Sequence, residues 1–360
     1  MGKATKKRVL IVDDAVVVRK TLSDAIQRET ALEVAGTASN GRFAVAKFPA
    51  LQPDVVLLDI EMPEMDGLET VRQLRKIDPR VPIIMFSTLT ERGASATLEA
   101  LALGATDYVT KPSNLNMGET LEVISRDLIP RIRALCHLPE SLGQFFSAPP
   151  VPAATLRPRL LAPVQIVAIG VSTGGPDALA KVLPALPADL TVPVVIAQHM
   201  PPIFTSLLAA RLSAKSALPV HECVSGEPLT PGCAVIAPGD FHMVIREEDG
   251  QRILRTHQGP KENFCRPAVD VLFHSVASLF GGRALIVVLT GMGQDGLKGC
   301  ETLHGLGARI YVQDEPTSVV WGMPGFVARA GLADKVLPLD QIASEIIRAT
   351  TMQIAARTHP

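Results

Sequence analysis

Short, almost wholly apolar runs alternate with stretches of helical periodicity along most of this chain, and that alternation admits few folds. From Arg8 to about residue 125 the runs are RVLIVDD, LEVAGTA, DVVLLDI, VPIIMFST and DYVTKP. Between them, VVRKTLSDAIQRE and LETVRQLRKI carry apolar residues three and four apart, the spacing of one helix face. Strands buried on both faces read as continuous apolar runs, and strands separated by helices pair in parallel. Residues 7–125 are therefore expected to form one α/β domain of five βα units around a parallel sheet.

The pattern then breaks. A possible closing helix, LEVISRDLIPRIRALCHL, runs into PESLGQFFSAPPVPAATLRPRLLAP, which is rich in Pro and Ala and lacks periodicity. Such composition gives a semi-rigid, extended connector, so residues 126–162 read as an interdomain linker. Alternation resumes at Val164 and persists to about residue 350. It is interrupted by GCAVIAPGDFHMVIREEDGQRILRTHQG, which reads as antiparallel strands turning at Glu248–Asp249–Gly250. Residues 163–352 are expected to form a doubly wound, mostly parallel α/β domain with an antiparallel hairpin. No tandem repeat relates the two halves.

Composition excludes several classes of function. The 360 residues, 47% of them hydrophobic, are ample for two buried cores. A net charge of −1 suggests neither a polyanion partner nor an acidic membrane surface. Two Tyr and one Trp argue against nucleic-acid binding by base stacking. No apolar run approaches the roughly 20 residues that span a bilayer, so direct membrane insertion is not expected. The basic start, Lys3, Lys6, Lys7 and Arg8, passes into RVLIVDDA, whose paired acids spoil a signal-peptide core. Five cysteines without a CxxC pair read as reduced, mostly buried thiols of a cytoplasmic protein.

Asp13 and Asp14 end the first strand pattern and Asp59 ends the third. In the 2-1-3 strand order of small doubly wound sheets these ends are neighbours at the switch point. Three converging carboxylates repel one another unless a cation intervenes, and a hard divalent ion with oxygen ligands, Mg²⁺, resolves the conflict. Thr88 ends the fourth strand pattern and Lys111 the fifth, so a hydroxyl and an ammonium reach the same rim and suit a phosphoryl group. VDDA, DIEMPEMDGLE, FSTLT and GATDYVTKP resemble the markers of response-regulator receiver domains. The resemblance covers roughly the first third of the chain and implies a flavodoxin-like receiver. By it, Asp59 accepts phosphate from a sensor histidine kinase. It further implies that Asp14, Asp59 and the backbone carbonyl of Glu61 hold Mg²⁺, with Asp13 assisting directly or through water. Thr88 and Lys111 are then phosphoryl contacts, and Tyr108 occupies the aromatic switch position.

A second constellation lies downstream. Ser172 follows VQIVAIG, His199 follows VPVVIAQ, and Asp295 closes ALIVVLTGMGQD. Serine, imidazole and carboxylate on the carboxyl-end rim of a parallel sheet are the parts of nucleophilic acyl transfer. Gly170-Val171-Ser172-Thr173-Gly174 satisfies G-x-S-x-G, a weak signal alone. A phosphate-cradling turn competes for it and stands second, because neither GxxxxGK[ST] nor GxGxxG accompanies it. The order Ser, His, Asp departs from the Ser, acid, His order of α/β-hydrolases. Amides of Thr290-Gly291-Met292-Gly293 offer an oxyanion site, where each donor contributes about 3 kcal/mol. The other histidines, His242 and His274 among them, read as structural or solvated.

AIGVSTGGPDAL, IAQHMPPIFTSLLAARL, APGDFHM, RPAVDVLF and VLTGMGQDG resemble the catalytic domain of chemotaxis protein-glutamate methylesterases, the CheB type. By that resemblance Ser172, His199 and Asp295 are a triad, with Thr173 and Met292 lining the site. It implies hydrolysis of glutamate methyl esters, and deamidation of selected glutamines, on methyl-accepting chemoreceptors, with no cofactor for the hydrolysis. A receiver ahead of a hydrolase implies that phosphorylation of Asp59 uncovers the Ser172 rim. An adaptor that only binds receptors is the alternative from another class. A DNA-binding regulator is a third reading, discounted because no basic recognition helix is seen.

Overall fold

A computed structural model describes residues 6–111, 124–138 and 162–355. They fall into two compact units, residues 1–146 and 147–360. Most of the Pro- and Ala-rich connector, residues 139–161, lies outside the described residues.

The first unit is built on five parallel strands, β1 (Lys7–Val12), β2 (Leu32–Ala38), β3 (Val55–Asp59), β4 (Ile83–Ser87) and β5 (Asp107–Thr110). Their order is β2-β1-β3-β4-β5, which puts the switch point between β1 and β3. Val9–Leu10–Ile11–Val12 and Val55–Val56–Leu57–Leu58 are buried, as strands covered on both faces must be. The helices are α1 (Val16–Gln27), α2 (Gly41–Leu51), α3 (Gly67–Ile77) and α4 (Glu91–Ala102). Three of them start on side-chain caps. Asn40 accepts from Phe43 N–H, Asp66 from Glu69 N–H and Thr90 from Gly93 N–H.

A π-helical turn at Ile124–Leu128 runs into α5 (Ile129–Leu135) and closes this unit. Ile124, Leu128, Ile132 and Leu135 are buried. The residues from 126 that compose toward a linker thus begin inside a packed helix, because the apolar spacing of ISRDLIPRIRAL outweighs its single proline.

The second unit carries seven parallel strands. In chain order they are β6 (Ile166–Val171), β7 (Val194–Gln198), β8 (Val220–Glu222), β9 (Ala234–Ile236), β12 (Ala284–Val288), β13 (Arg309–Gln313) and β14 (Lys335–Leu337). The sheet order β14-β13-β12-β6-β7-β9-β8 makes β6 central, between β12 and β7. β10 (His242–Glu248) and β11 (Gln251–His257) form a separate antiparallel hairpin. Asp249 and Gly250 both have positive φ, 50° and 76°, the geometry of a two-residue hairpin turn. AVI at 234–236, expected within that antiparallel insert, is instead the parallel strand β9. Pro238-Gly239-Asp240, with Asp240 at φ 63°, carries the chain out of the main sheet before the hairpin starts. Helices α6 (Gly175–Val182) and α7 (Phe204–Ser213) follow β6 and β7, and the hairpin leans on α8 (Val269–Phe280), where Ile245 N–H donates to Ser275 Oγ at 3.1 Å.

Candidate functional site

Strand order brings the acidic residues of the first unit together. Asp13 directly follows β1 and Asp59 ends β3, its neighbour. Asp13 and Asp59 are buried and Asp14 is exposed, and carboxylate oxygens of all three lie within 4.8 Å of one another. Lys111 spans two of them, with Nζ 2.9 Å from Asp13 Oδ2 and 2.7 Å from Asp59 Oδ2. Backbone amides fix the other oxygens: Ala15 N–H donates to Asp13 Oδ1 and Ile60 N–H to Asp59 Oδ1. Burial pushes the Asp59 carboxyl up to about 6, against the opposing pull of Lys111. Burial works against the Lys111 charge, but Asp59 and Asp13 outweigh it and raise the ammonium. Three carboxylates against one ammonium leave excess negative charge on an all-oxygen donor set, which fits a hard divalent cation.

Thr88 and Lys111 sit one step beyond their strands. β4 stops at Ser87, so Thr88 opens the following loop, exposed, with Oγ1 3.3 Å from the capping Thr90 hydroxyl. Lys111 follows β5 and is anchored by its own N–H on Ser87 O. Tyr108 lies within β5, buried, and burial carries its phenol well above the ordinary range. Glu61 lies two residues past Asp59 with its side chain exposed toward Arg92.

In the second unit, β6 and β7 pair as far as Val171↔Gln198, so Ser172 and His199 occupy the next step of adjacent strands. Gln198 clasps them, its Nε2 donating to Ser172 O at 3.0 Å and His199 O at 3.1 Å. On the other side, Ser172 N–H donates to Thr290 O beyond β12. Two close approaches need glycine here. A Cβ on Gly175 would stand 1.9 Å from Gln198 Oε1, and one on Gly170 would stand 2.4 Å from Val269 Cγ1.

Asp295 reaches His199 from the turn after β12: His199 Nε2 and Asp295 Oδ2 are 2.7 Å apart. Four further donors converge on this carboxylate. Val269 N–H meets Oδ2, while Asn263 Nδ2, Asp270 N–H and Gly296 N–H meet Oδ1, all at 2.7–3.0 Å. Two of these amides open α8, which has no side-chain cap, so Asp295 acts as the anion at that helix N-terminus. Burial pushes its carboxyl up, but His199 and the amides outweigh that and hold it at about 2. An ionised carboxylate only accepts; the Nε2 proton is therefore on His199, and the lone pair of the neutral ring is on Nδ1.

Nδ1 does not meet Ser172. It faces Cys265 Sγ at 3.5 Å, and Ser172 Oγ makes no hydrogen bond to the ring. Burial opposes a charge on His199, yet its neighbours Cys265 and Asp295 outweigh it and raise the ring's pKa, so Nδ1 takes up a proton readily. Thr173 is buried beside Ser172, its carbonyl accepting from Thr290 Oγ1. Thr290 N–H is engaged by Gln313 Oε1 and Gly291 N–H by Val320 O. That narrows the amides of the glycine-rich turn that can meet an oxyanion to Met292 and Gly293. His242 is structural, with Nε2 on Pro260 O and Nδ1 accepting from Ala268 N–H.

Three participants escape sequence reasoning. Asn263 bridges Asp295 and Asp270, Cys265 faces His199, and Asp270 accepts from Gly299 N–H. Asp270 belongs to RPAVDVLF, so the motif was visible although its role was not. KENFC follows no strand or helix period.

Comparison with known proteins identifies the family. The family described as CheB methylesterase matches residues 167–346, and the response regulator receiver domain matches residues 9–121. A protein-glutamate methylesterase/protein-glutamine glutaminase of Trichodesmium erythraeum is 50% identical over 347 residues, 95% of this chain and 99% of the relative. One of a Nocardioides species is 49% identical over 96% of both chains. The crystal structure of the Thermotoga maritima CheB methylesterase catalytic domain is 41% identical with a TM-score of 0.51, covering 52% of this chain and 99% of that one. A hydrolase rim, a receiver pocket and relatives of this identity over nearly the whole length lead to one conclusion: the chain belongs to the CheB family, protein-glutamate methylesterases/protein-glutamine glutaminases that carry a response-regulator receiver domain.

Proposed function

We propose that Ser172, His199 and Asp295 carry the hydrolysis and that Asp59 is the phosphorylated residue controlling it. The observation that carries the first assignment is the His199–Asp295 pair at 2.7 Å, held at the carboxyl end of β7 beside Ser172. Ser172 Oγ attacks the γ-carbonyl carbon of a receptor glutamate methyl ester while His199 Nδ1 takes its proton. The Asp295 carboxylate fixes the ring's tautomer and stabilises its cation. Amides of Met292 and Gly293 meet the oxyanion, with Thr173 lining the site. His199 returns the proton to the departing methoxide, which leaves as methanol. Water then attacks the acyl-serine by the same route and releases glutamate. With a glutamine substrate the leaving group is ammonia. Each product adds a carboxylate to a chemoreceptor's cytoplasmic helices, which places the enzyme in the cytoplasm.

In the receiver, residues 7–125, an Asp59 oxygen attacks the phosphorus of a phosphohistidine on a sensor kinase, and the P–N bond breaks. Asp14, Asp59 and the Glu61 carbonyl would hold Mg²⁺, with Asp13 assisting. When bound, the ion neutralises charge on the transferring phosphoryl group. Lys111 and Thr88 contact the phosphoryl oxygens, and Tyr108 responds as the switch residue. Residues 163–352 form the catalytic domain, tethered by the Pro- and Ala-rich connector.

Methanol release from methyl-labelled receptor tests the hydrolase. We expect Ser172→Ala to abolish release while thermal unfolding is unchanged. Release that survives in this variant would remove Ser172 from the mechanism.

A further inference from the structure

His199 presents one ring nitrogen to Asp295 and the other to a thiol. Cys265 Sγ lies 3.5 Å from Nδ1, and the His199 side chain keeps 12% of its surface exposed. We propose that Cys265 Sγ and His199 Nδ1 form a binding site for a thiophilic divalent cation, zinc above all, whose occupation withdraws the catalytic base from Ser172.

The distance is the first argument. Zn–S and Zn–N bonds of about 2.3 and 2.05 Å, set at a tetrahedral angle, place sulfur and nitrogen about 3.5 Å apart. The observed pair already has that span. The second argument is the far side of the ring. A metal-ligating histidine ordinarily donates its other N–H to a carboxylate, which fixes the ring and raises its basicity. His199 Nε2 does this to Asp295, whose own oxygens are fixed by four further donors. The carboxylate that orients the base for catalysis therefore also orients it for a metal.

Asp295 stays on Nε2 and is not a ligand. Two protein ligands leave the remaining tetrahedral positions to water, giving a reversible site that a chelator strips. On binding, the Cys265 thiol enters as thiolate and its proton passes to solvent. The Nδ1 lone pair goes to the metal, and Ser172 then has no acceptor for its proton. Among the other cysteines, Cys136, Cys223 and Cys300 are buried and the Cys233 thiol rests on the Thr230 carbonyl.

The ligation stands on geometry alone; its effect on hydrolysis rests on the assignment of His199 as base. The test uses the full chain, free of phosphodonor. Cobalt(II) reports thiolate ligation by a charge-transfer band, which carboxylates of the receiver pocket do not produce. We expect the band in wild type, Ser172→Ala and Cys233→Ala, its loss in Cys265→Ala and Cys265→Ser, and its displacement by zinc. Zinc should cut wild-type methanol release by on the order of 100-fold at saturation, the size of a general-base contribution, with EDTA restoring it. Each Cys265 variant, compared with its own zinc-free rate, should lose most of this sensitivity. A cobalt spectrum without a Cys265-dependent band overturns the site. Zinc inhibition as deep in Cys265→Ala as in wild type overturns its role. The zinc-free rate of Ser172→Ala checks the triad separately.

Discussion

Five donors converge on Asp295, and that number decides what the residue can do. With both oxygens engaged and its pKa held at about 2, it stays ionised and orients rather than transfers protons. Asp295→Asn keeps the shape but places an amide where Nε2–H must donate, which favours the wrong tautomer. We expect kcat to fall by on the order of 10⁴, as loss of the orienting carboxylate does in such triads, with methanol release as the measurement. Its neighbour Asp270 is set the other way: burial, with the nearby Asp295 charge, pushes its carboxyl up to about 6. The folded state thus favours protonated Asp270. That contribution to stability is complete below the unfolded value near 4 and is lost as pH rises through about 6. Denaturant midpoints for wild type and Asp270→Asn across pH 4–7 should diverge progressively in the variant's favour, on top of any fixed offset from the amide. Parallel curves would show that Asp270 does not titrate in this window. At this scale the sequence was legible where a residue closes an apolar strand: Ser172, His199 and Asp59 announce themselves by position. Asn263 and Cys265 do not, because they reach the site through a tight Glu262–Cys265 turn with Asn263 and Phe264 at φ 50° and 64°. No periodicity encodes such a turn.

Elements carry the site because three strand ends and one helix start are packed at a single point. Parallel order was readable from the apolar runs, since only strands covered on both faces lose polar alternation. The place of β9 was not, because a three-residue AVI segment carries no mark of which sheet it joins. Nor could a pattern reveal that α8 docks its uncapped first turn on Asp295. That docking requires Gly170, since a Cβ there would overlap Val269 Cγ1 at 2.4 Å and press on the Phe273 ring. Gly170→Ala should cost about 1–3 kcal/mol by overpacking, read from chemical denaturation. It should also lower kcat, because Val269 N–H holds the Asp295 oxygen that pairs with His199. Lost stability with unchanged kcat would mean that the carboxylate keeps its place without this turn of α8.

For the whole molecule, what matters is that two chemistries occupy two separate sheets. The acid pocket at the ends of β1 and β3 and the proposed nucleophile Ser172, just past β6, share no residue and no strand, so each can be disabled alone. Asp59→Asn keeps a side chain of the same size beside Lys111 but removes the proposed phosphoacceptor oxygen. We expect its methanol release to be insensitive to a small-molecule phosphodonor that stimulates wild type. Ser172→Ala should conversely accept phosphate on Asp59 while releasing no methanol. Chelating Mg²⁺ should abolish phosphate incorporation in both wild type and Ser172→Ala, since the excess negative charge of Asp13, Asp14 and Asp59 then faces an anionic donor with only Lys111 to offset it. Labelled phosphate on the protein and methanol in solution are independent readouts, so the four combinations of variant and donor separate the two sites. Stimulation that persists in Asp59→Asn would move control of the hydrolase away from the receiver pocket, whatever the triad does.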